Sequence, residues 1–340
     1  MSRKPVLAVT LFAAVLGFST TASADGGPCD GGPGTCIKIG TLAPKQSLWG
    51  TVFQAWAKGV KEESKNDLEL QFFYNGTQGD EAAMVAKMRN KQLDAAAITA
   101  RGMAFIWPHI LAFQLPGVFT NWEKLDKARN ALLPELQAEF EKKGFRLVGN
   151  GDVGVAHMMS KGGPIKVPAD LKNQKCSYIT GDNVGSTFLR VVGVSGTALE
   201  VPSILPAIKN GTVTVLNAPA LAAEQLQWAP EMEHINTMPT GIGIGGLVFF
   251  TGPESKYNNL SEPQREILKR TGKNAGDILT GRIRNADKAS FERASQKMTP
   301  YNPSDAEKAK WNEVFAQVYS QVCGSALDAG FCGRVKAAAQ

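Results

Sequence analysis

The chain is predicted to fold as α/β, in two similar lobes with a helical C-terminal region lying across them. Three observations predict this. Strand-like and helix-like segments alternate between residues 37 and 99 and again between residues 175 and 216, an order that implies parallel sheets covered by helices. A short echo links the two runs: Met88-Arg89-Asn90-Lys91-Gln92-Leu93-Asp94 and Ile208-Lys209-Asn210-Gly211-Thr212-Val213-Thr214 both read as a helix end, an Asn-containing turn and the next strand. Beyond residue 262 the pattern turns helical only. At 340 residues the chain also suits two domains of about 150 residues better than one.

Each element has its own signal. Residues 37–42 read as a short strand. Residues 49–63 carry Val52, Phe53, Trp56 and Val60 at helical spacing. Residues 68–74 alternate as a strand and end at the turn signal Asn75-Gly76. Residues 81–89 form a helix with Met84, Val85 and Met88 on one face, and residues 93–99 a third strand. Residues 145–148 and 153–159 suggest one long strand or a pair. The alternation then restarts with a strand at 175–179, helices at 184–192 and 204–209, and a strand at 213–216. Residues 262–297 read as a long charged helix in which Gly272, Gly276 and Gly281 mark bends or breaks. Residues 305–322 form a further helix with Trp311, Phe315 and Val318 on one face. No linker rich in Gly, Ser or Pro divides the middle of the chain, so the lobes are closely coupled.

The N-terminus reads as a cleaved export signal over residues 1–24. Arg3 and Lys4 form a basic start, the apolar core from residue 6 to residue 18 spans 13 residues, and Ala22-Ser23-Ala24 is a small-residue cleavage site. That core is short of the roughly 20 residues needed to span a bilayer. The formal charge is +6; without Arg3 and Lys4, 35 of the 37 basic residues face 31 acidic ones, a net +4 with no basic cluster. This balance excludes nucleic acid as a partner. The cysteines agree with export to an oxidising compartment. Cys29 and Cys36 flank a Gly/Pro-rich loop, and Cys323 and Cys332 lie nine apart near the C-terminus. Two local bridges are expected, although sequence alone leaves the pairing open. Cys176 is left over as a buried, inert thiol.

Catalytic and metal chemistry have no visible constellation, and no cofactor is implied. His109, His157 and His234 stand in no metal spacing, and there is neither a nucleophile elbow nor a phosphate loop. Residues 241–246 satisfy the spacing GxGxxG, but residues 247–250 after them read as a strand and not a helix, so the segment is a flexible or tightly packed stretch. A secreted enzyme would have to bring His157, Asp152 or Asp182 together unseen. In a two-lobed α/β protein, ligands bind in the crevice at the carboxyl ends of the strands. Those ends point to Gln46, Leu48 and Trp49 after the first strand, and to Arg101, Phe105 and Trp107 after the third. In the second lobe they point to Ser177, Asn183, Asn217 and Ala218, with Trp228 beyond.

These residues also carry a family likeness. The chain resembles the periplasmic solute-binding proteins of tripartite ATP-independent periplasmic (TRAP) transporters, the dicarboxylate-receptor type. The likeness runs from about residue 37 to the C-terminus. It includes Phe73-Tyr74-Asn75-Gly76, Gly79-Asp80-Glu81, Leu93-Asp94, Thr99-Ala100-Arg101, Leu115-Pro116 and Pro168-Ala169-Asp170-Leu171-Lys172. It implies a two-lobed periplasmic binding protein with hinge strands and a long C-terminal helix bracing both lobes. On this likeness residues 37–152 and 247–285 form lobe I, residues 153–246 lobe II, and residues 286–340 the C-terminal helical region, after an N-terminal segment at 25–36. The resemblance further implies a periplasmic location, a cleft that closes on a small-molecule ligand, and delivery to TRAP-type membrane permease subunits.

The departures from the family pattern bear on the ligand. Members carry an arginine shortly after the Asp-Leu-Lys motif that grips the substrate's carboxylate through two points. In register, Ser177 stands at that position. The later motif Asp-Gly-x-Glu-x-Pro corresponds to residues 214–219, where only Pro219 survives. Some members carry a second arginine near residues 150–153, where this chain has Val153 and no arginine. A carboxylate in a closed cleft needs a paired cation. The expectation is therefore a receptor for a neutral or largely apolar molecule, with Leu48, Trp49, Phe105 and Trp107 as walls and Ser177 and Asn217 as polar contacts. The alternatives are an organic-acid receptor using Arg101, or a binding protein serving a sensor or an envelope trafficking system.

Overall fold

A computed structural model describes Cys29 and residues 34–340; the expected signal segment lies outside the described residues. The first half is built as β1 (Thr35–Thr41), α1 (Leu48–Glu63), β2 (Leu68–Phe73), α2 (Glu81–Arg89), β3 (Ala95–Thr99), α3 (Ala100–Ala104) and α4 (Trp122–Lys142). In β1, Ile37 and Ile39 are fully buried while Lys38 between them is exposed, the period-two signature of a strand. Ser47 caps α1 by accepting from Gly50 N at 3.1 Å, and Asp80 caps α2 by accepting from Ala83 N at 2.7 Å.

A single strand of 16 residues, β4 (Phe145–Ser160), then leaves this half. The sequence leaves one strand or two open here; the structure has one, bulged at Val148 and Val153 where its register against a later strand shifts. The second half comprises β5 (Cys176–Ile179), α5 (Asn183–Val192), β6 (Gly196–Leu199), α6 (Val201–Lys209), β7 (Val215–Pro219), α7 (Ala220–Gln225) and β8 (His234–Asn236). The chain returns along β9 (Gly241–Phe250). The glycine-rich stretch at 241–246 is therefore the start of a strand and not a flexible segment. It is packed closely: a side chain at Gly246 would meet Leu147 at 2.6 Å, and one at Gly243 would meet Val153 at 3.1 Å.

The strands form one sheet in the order β2-β1-β3-β9-β4-β7-β5-β6, with β8 pairing to β4 off this path. Both flanks are parallel, β1 with β2 and β3, and β5 with β6 and β7. The centre is antiparallel, where β9 pairs with β3 and β4. Two α/β units thus share a central pair of long strands that cross between them.

After α8 (Lys256–Asn259) comes α9 (Glu262–Lys297), 36 residues without a break. Its start is fixed by a capping box between Ser261 and Gln264. The glycines do not break it. A Cβ on Gly272 would lie 2.7 Å from Val148, and one on Gly276 would lie 2.5 Å from the Asn150 carbonyl oxygen, so these glycines let the helix lie directly on β4. Gly281 has open space around it. Leu268 joins the core of Ile37, Trp56 and Phe249 in the first half, while Ala294 joins the core of Met159, Ile208 and Ile235 in the second. The long helix therefore braces both lobes. Asp287 pins it midway, accepting from Val155 N at 2.7 Å and Leu221 N at 3.0 Å; burial pushes its carboxyl above the usual range.

The chain ends with β10 (Thr299–Tyr301), α10 (Asp305–Val322) and α11 (Ala329–Ala338). α10 lies on α5 of the second half, where Trp311 stacks beside Phe188 at 6.3 Å. α11 returns to the first half, where Phe331 meets Trp107 edge-on at 4.8 Å and Arg334 pairs with Glu135. A Cys323–Cys332 disulfide closes the turn between them, and a second disulfide joins Cys29 to Cys36. Cys176 is free and buried, and burial pushes its thiol up to about 11. No helix among the described residues is long and apolar enough to cross a membrane.

Candidate functional site

A cavity of about 310 Å³ opens where the carboxyl ends of the strands from both halves face each other. The first half contributes Leu42 and Pro44 after β1, Trp49 and Phe53 on α1, and Thr99 and Arg101 after β3. The central strands contribute Asn150, Asp152, Val153 and Ile244. The second half contributes Ser177, Asp182, Asn217, Ala218 and Trp228, and Leu279 of α9 and Phe315 of α10 complete the walls. Most of this lining is aliphatic or aromatic, the usual character of a small-molecule site.

Of the residues expected at a cleft, the structure brings together Trp49, Arg101, Val153, Ser177, Asn217, Ala218 and Trp228. Five lie away from this cavity. Gln46 is exposed at the surface, and Asn183 is exposed on the first turn of α5. Leu48 packs with Val52, Leu221 and Ile283 between α1, α7 and α9. Trp107 is core, sandwiched among His109, Phe140 and Phe331. Phe105 packs against the core, and its ring covers Gly181 so closely that a Cβ there would come within 2.6 Å of it. Sequence reasoning also passes over several lining residues. Phe53 follows Trp49 by one helical turn and could have been inferred from that spacing. Leu279 and Phe315 come from the C-terminal helices and carry no local signal.

The polar groups are few and mostly engaged. Trp49 Nε1 donates to the Asp152 carbonyl at 3.4 Å. The Thr240 hydroxyl lies 2.7 Å from Asn217 Oδ1. Gln114 Nε2 donates to the Ile242 carbonyl at 3.1 Å. Glu81 is buried beside Arg101, with its oxygens accepting from Thr99 N at 2.6 Å and Thr99 Oγ1 at 2.7 Å. Burial pushes its carboxyl up, and these hydrogen bonds and the nearby guanidinium oppose that shift.

Arg101 is the only basic residue in the described lining. Its Nε donates to Asp182 Oδ2 at 2.7 Å. Asp182 is also the N-cap of α5, where its other oxygen accepts from Val184 N at 3.1 Å and Gly185 N at 2.8 Å. Two further arginines approach from behind the central strands, which the sequence order does not reveal. Arg129 Nη1 reaches Asp152 Oδ1 at 2.8 Å, and Arg284 Nε reaches Asp152 Oδ2 at 2.7 Å. Asp126 bonds to both arginines, and the Arg284 hydrogen bonds hold its carboxyl below the usual range. Two acids thus neutralise two bases, and neither arginine is left over for a ligand.

The comparisons with known proteins agree with this architecture. The chain is 26% identical over 117 residues to the 2,3-diketo-L-gulonate-binding periplasmic protein YiaO of Escherichia coli, covering 34% of this chain and 36% of that protein. It is 24% identical over 185 residues to a solute-binding protein of Verminephrobacter eiseniae, covering 53% of each. The chain thus spans about a third to a half of these relatives. It is 20% identical over 294 residues to the C4-dicarboxylate-binding protein DctB of Bacillus subtilis, covering 84% of this chain and 81% of that one. In fold it is similar to a TRAP periplasmic solute-binding protein of Ralstonia eutropha with bound (S)-2-acetolactate, with TM-score 0.82 and 17% identity over 89% of this chain and 98% of that one. A TRAP periplasmic solute-binding protein of Sulfurospirillum deleyianum with bound succinate gives TM-score 0.81 and 18% identity over the same shares. The pattern of the bacterial extracellular solute-binding proteins, family 7, matches residues 39–325, which take in every residue of the cleft wall described above, and the chain belongs to that family.

Proposed function

We propose that this protein is an extracytoplasmic receptor, exported to the periplasm, that encloses a neutral or largely apolar small molecule and presents it to a TRAP-type membrane permease. The observation that carries this reading is the state of the one basic side chain in the cavity lining: Arg101 is ion-paired to Asp182 at 2.7 Å. Ser177 occupies the position where the family likeness expects a carboxylate-binding arginine, and Arg129 and Arg284 are held by Asp126 and Asp152. A carboxylate entering this cavity would exchange full hydration for apolar walls with no unpaired cation, at a cost of several kcal/mol. A neutral molecule carries no such penalty and gains from every apolar contact.

A second reading, an organic-acid receptor, is favoured by two specific observations. Two of the three relatives above are named for organic acids, and both solved structures hold one. Arg101 also uses only its Nε with the described residues, which leaves its Nη groups available to an acid. Native mass spectrometry of the protein purified from its own host, followed by calorimetric titration of the emptied protein with succinate, separates the two. Retention of an uncharged compound and no measurable succinate binding are expected. Submicromolar succinate binding that is lost in R101A would refute the neutral-ligand reading.

A further inference from the structure

We propose that Asp182 is the specificity-determining residue of the cleft, a built-in carboxylate that occupies Arg101 in the place of a ligand's own. This role rests on the neutral-ligand reading of the cavity. Asp182 performs two tasks with two oxygens. Oδ1 alone caps α5, accepting from Val184 N and Gly185 N. Capping needs one oxygen and no charge, and Asn or Ser serves there about as well as Asp. The second oxygen and the negative charge are therefore surplus to the helix, and they go to Arg101 Nε at 2.7 Å.

That pair is also long-range. Arg101 follows β3 in the first half of the sheet and Asp182 follows β5 in the second, so the contact spans the cleft. Glu81, the other acid beside Arg101, is not a substitute, because its oxygens are committed to Thr99. The Asp182 side chain is only 5% exposed. A ligand carboxylate that drew Arg101 away would leave Asp182 as a buried charge with no cation, and one that used the free Nη groups would share the guanidinium with a second carboxylate; both oppose binding. A neutral ligand leaves the pair intact. Discrimination therefore arises from a repulsive element within the site, in addition to the missing arginine at Ser177.

The test compares the wild type with D182N and D182S, both of which keep a capping oxygen. Succinate binding is measured by calorimetry, and Nile red fluorescence serves as the neutral, apolar probe. Circular dichroism checks that the helix content is unchanged. Both variants are expected to bind succinate on the order of tenfold or more tighter than the wild type, and the ratio of succinate to Nile red affinity is expected to rise by a similar factor. Folded variants whose succinate affinity does not rise would overturn the proposal. So would failure of both variants to fold, since the carboxylate would then serve the fold and not the cleft. The wild type's own succinate affinity tests the neutral-ligand reading, whereas the ratio of variant to wild type tests Asp182, so each can fail without the other.

Discussion

His157 makes the protein's stability acid-sensitive between pH 6.5 and pH 4. It lies on β4, 5% exposed, stacked on Phe291 of α9 with ring centroids 4.4 Å apart. Its Nδ1 sits 3.1 Å from the Asn236 carbonyl oxygen, so the neutral ring carries its proton there and donates. Burial lowers its pKa to about 4, with the hydrogen bonds to Asn236 and Met238 opposing the shift. The unfolded chain protonates the same ring near pH 6.5. Between these values the unfolded state binds more protons, so this contribution is complete above pH 6.5 and is lost as the pH falls toward 4. At about 1.36 kcal/mol per pH unit, the full loss is about 3 kcal/mol, of which about 2 kcal/mol is gone by pH 5. The assay is urea unfolding of the wild type and H157Q between pH 7 and pH 4.5. H157Q is expected to be about 1 kcal/mol less stable at pH 7 through lost packing. At pH 5 it should equal or exceed the wild type. Asp287 and Glu81, whose carboxyls are raised by burial, act in the opposite direction in both proteins and cancel in the difference. A stability difference that stays the same from pH 7 to pH 5 would refute the argument.

Two further predictions concern the frame around the cleft. D152N should cost about 2–3 kcal/mol in urea unfolding, because it leaves Arg129 and Arg284 with Asp126 alone. D126N should cost less, about 1 kcal/mol, because Asp126 is 38% exposed and its pairs are screened while the Asp152 side chain is fully buried; equal costs would show that burial does not set the order. C323S/C332S should lose about 2.5 kcal/mol by the loop-entropy relation for a nine-residue separation, read as a lower urea midpoint. An unchanged midpoint would mean that the packing of Phe331 against Trp107 already fixes α11.

The parts of the fold that were legible in the sequence are those with strong local signals. The starts of α9 and α10 follow from Ser261 and Ser304, each of which opens a capping box ahead of a charged helix. The start of the β1 to β3 run follows from the apolar alternation of Ile37-Lys38-Ile39 and Leu68-Glu69-Leu70-Gln71-Phe72 and from the turn at Asn75. By contrast, β6 carries Thr197 and Ala198 exposed on a sheet edge and has no apolar alternation to detect. α4 does carry a helical stripe of Leu125, Leu132, Leu136 and Phe140, interrupted by Pro134, so its signal was present but weakened. At the site, strand ends locate Trp49, Arg101, Ser177 and Asn217 because the crevice of an α/β sheet lies at those ends. They fail for Trp107 and Leu48, since an aromatic or aliphatic residue after a strand fills a core as readily as a cavity wall. The Arg101–Asp182 pair joins residues 81 apart in sequence, and the Asp152 cluster joins three elements; neither has a local pattern.

The crossing strand, the brace and the cleft wall meet in one short segment, residues 148–153 of β4. Its bulges at Val148 and Val153 are where the strand departs from regular pairing with β9, and bulges bend and twist the strand that carries them. Asn150, Gly151 and Asp152 between them line the cavity. The same segment lies against Gly272 and Gly276 of α9, which also line the cavity, and Asp152 ties it to Arg129 of α4 and Arg284 of α9. A contact at this distance, with backbone against backbone, leaves no flexible side chain to absorb a displacement. Any rotation of one half against the other must therefore move α9 relative to β4 or bend both together. A molecule seated against residues 150–153 would therefore lie on the same strand segment that α9 and α4 hold in place.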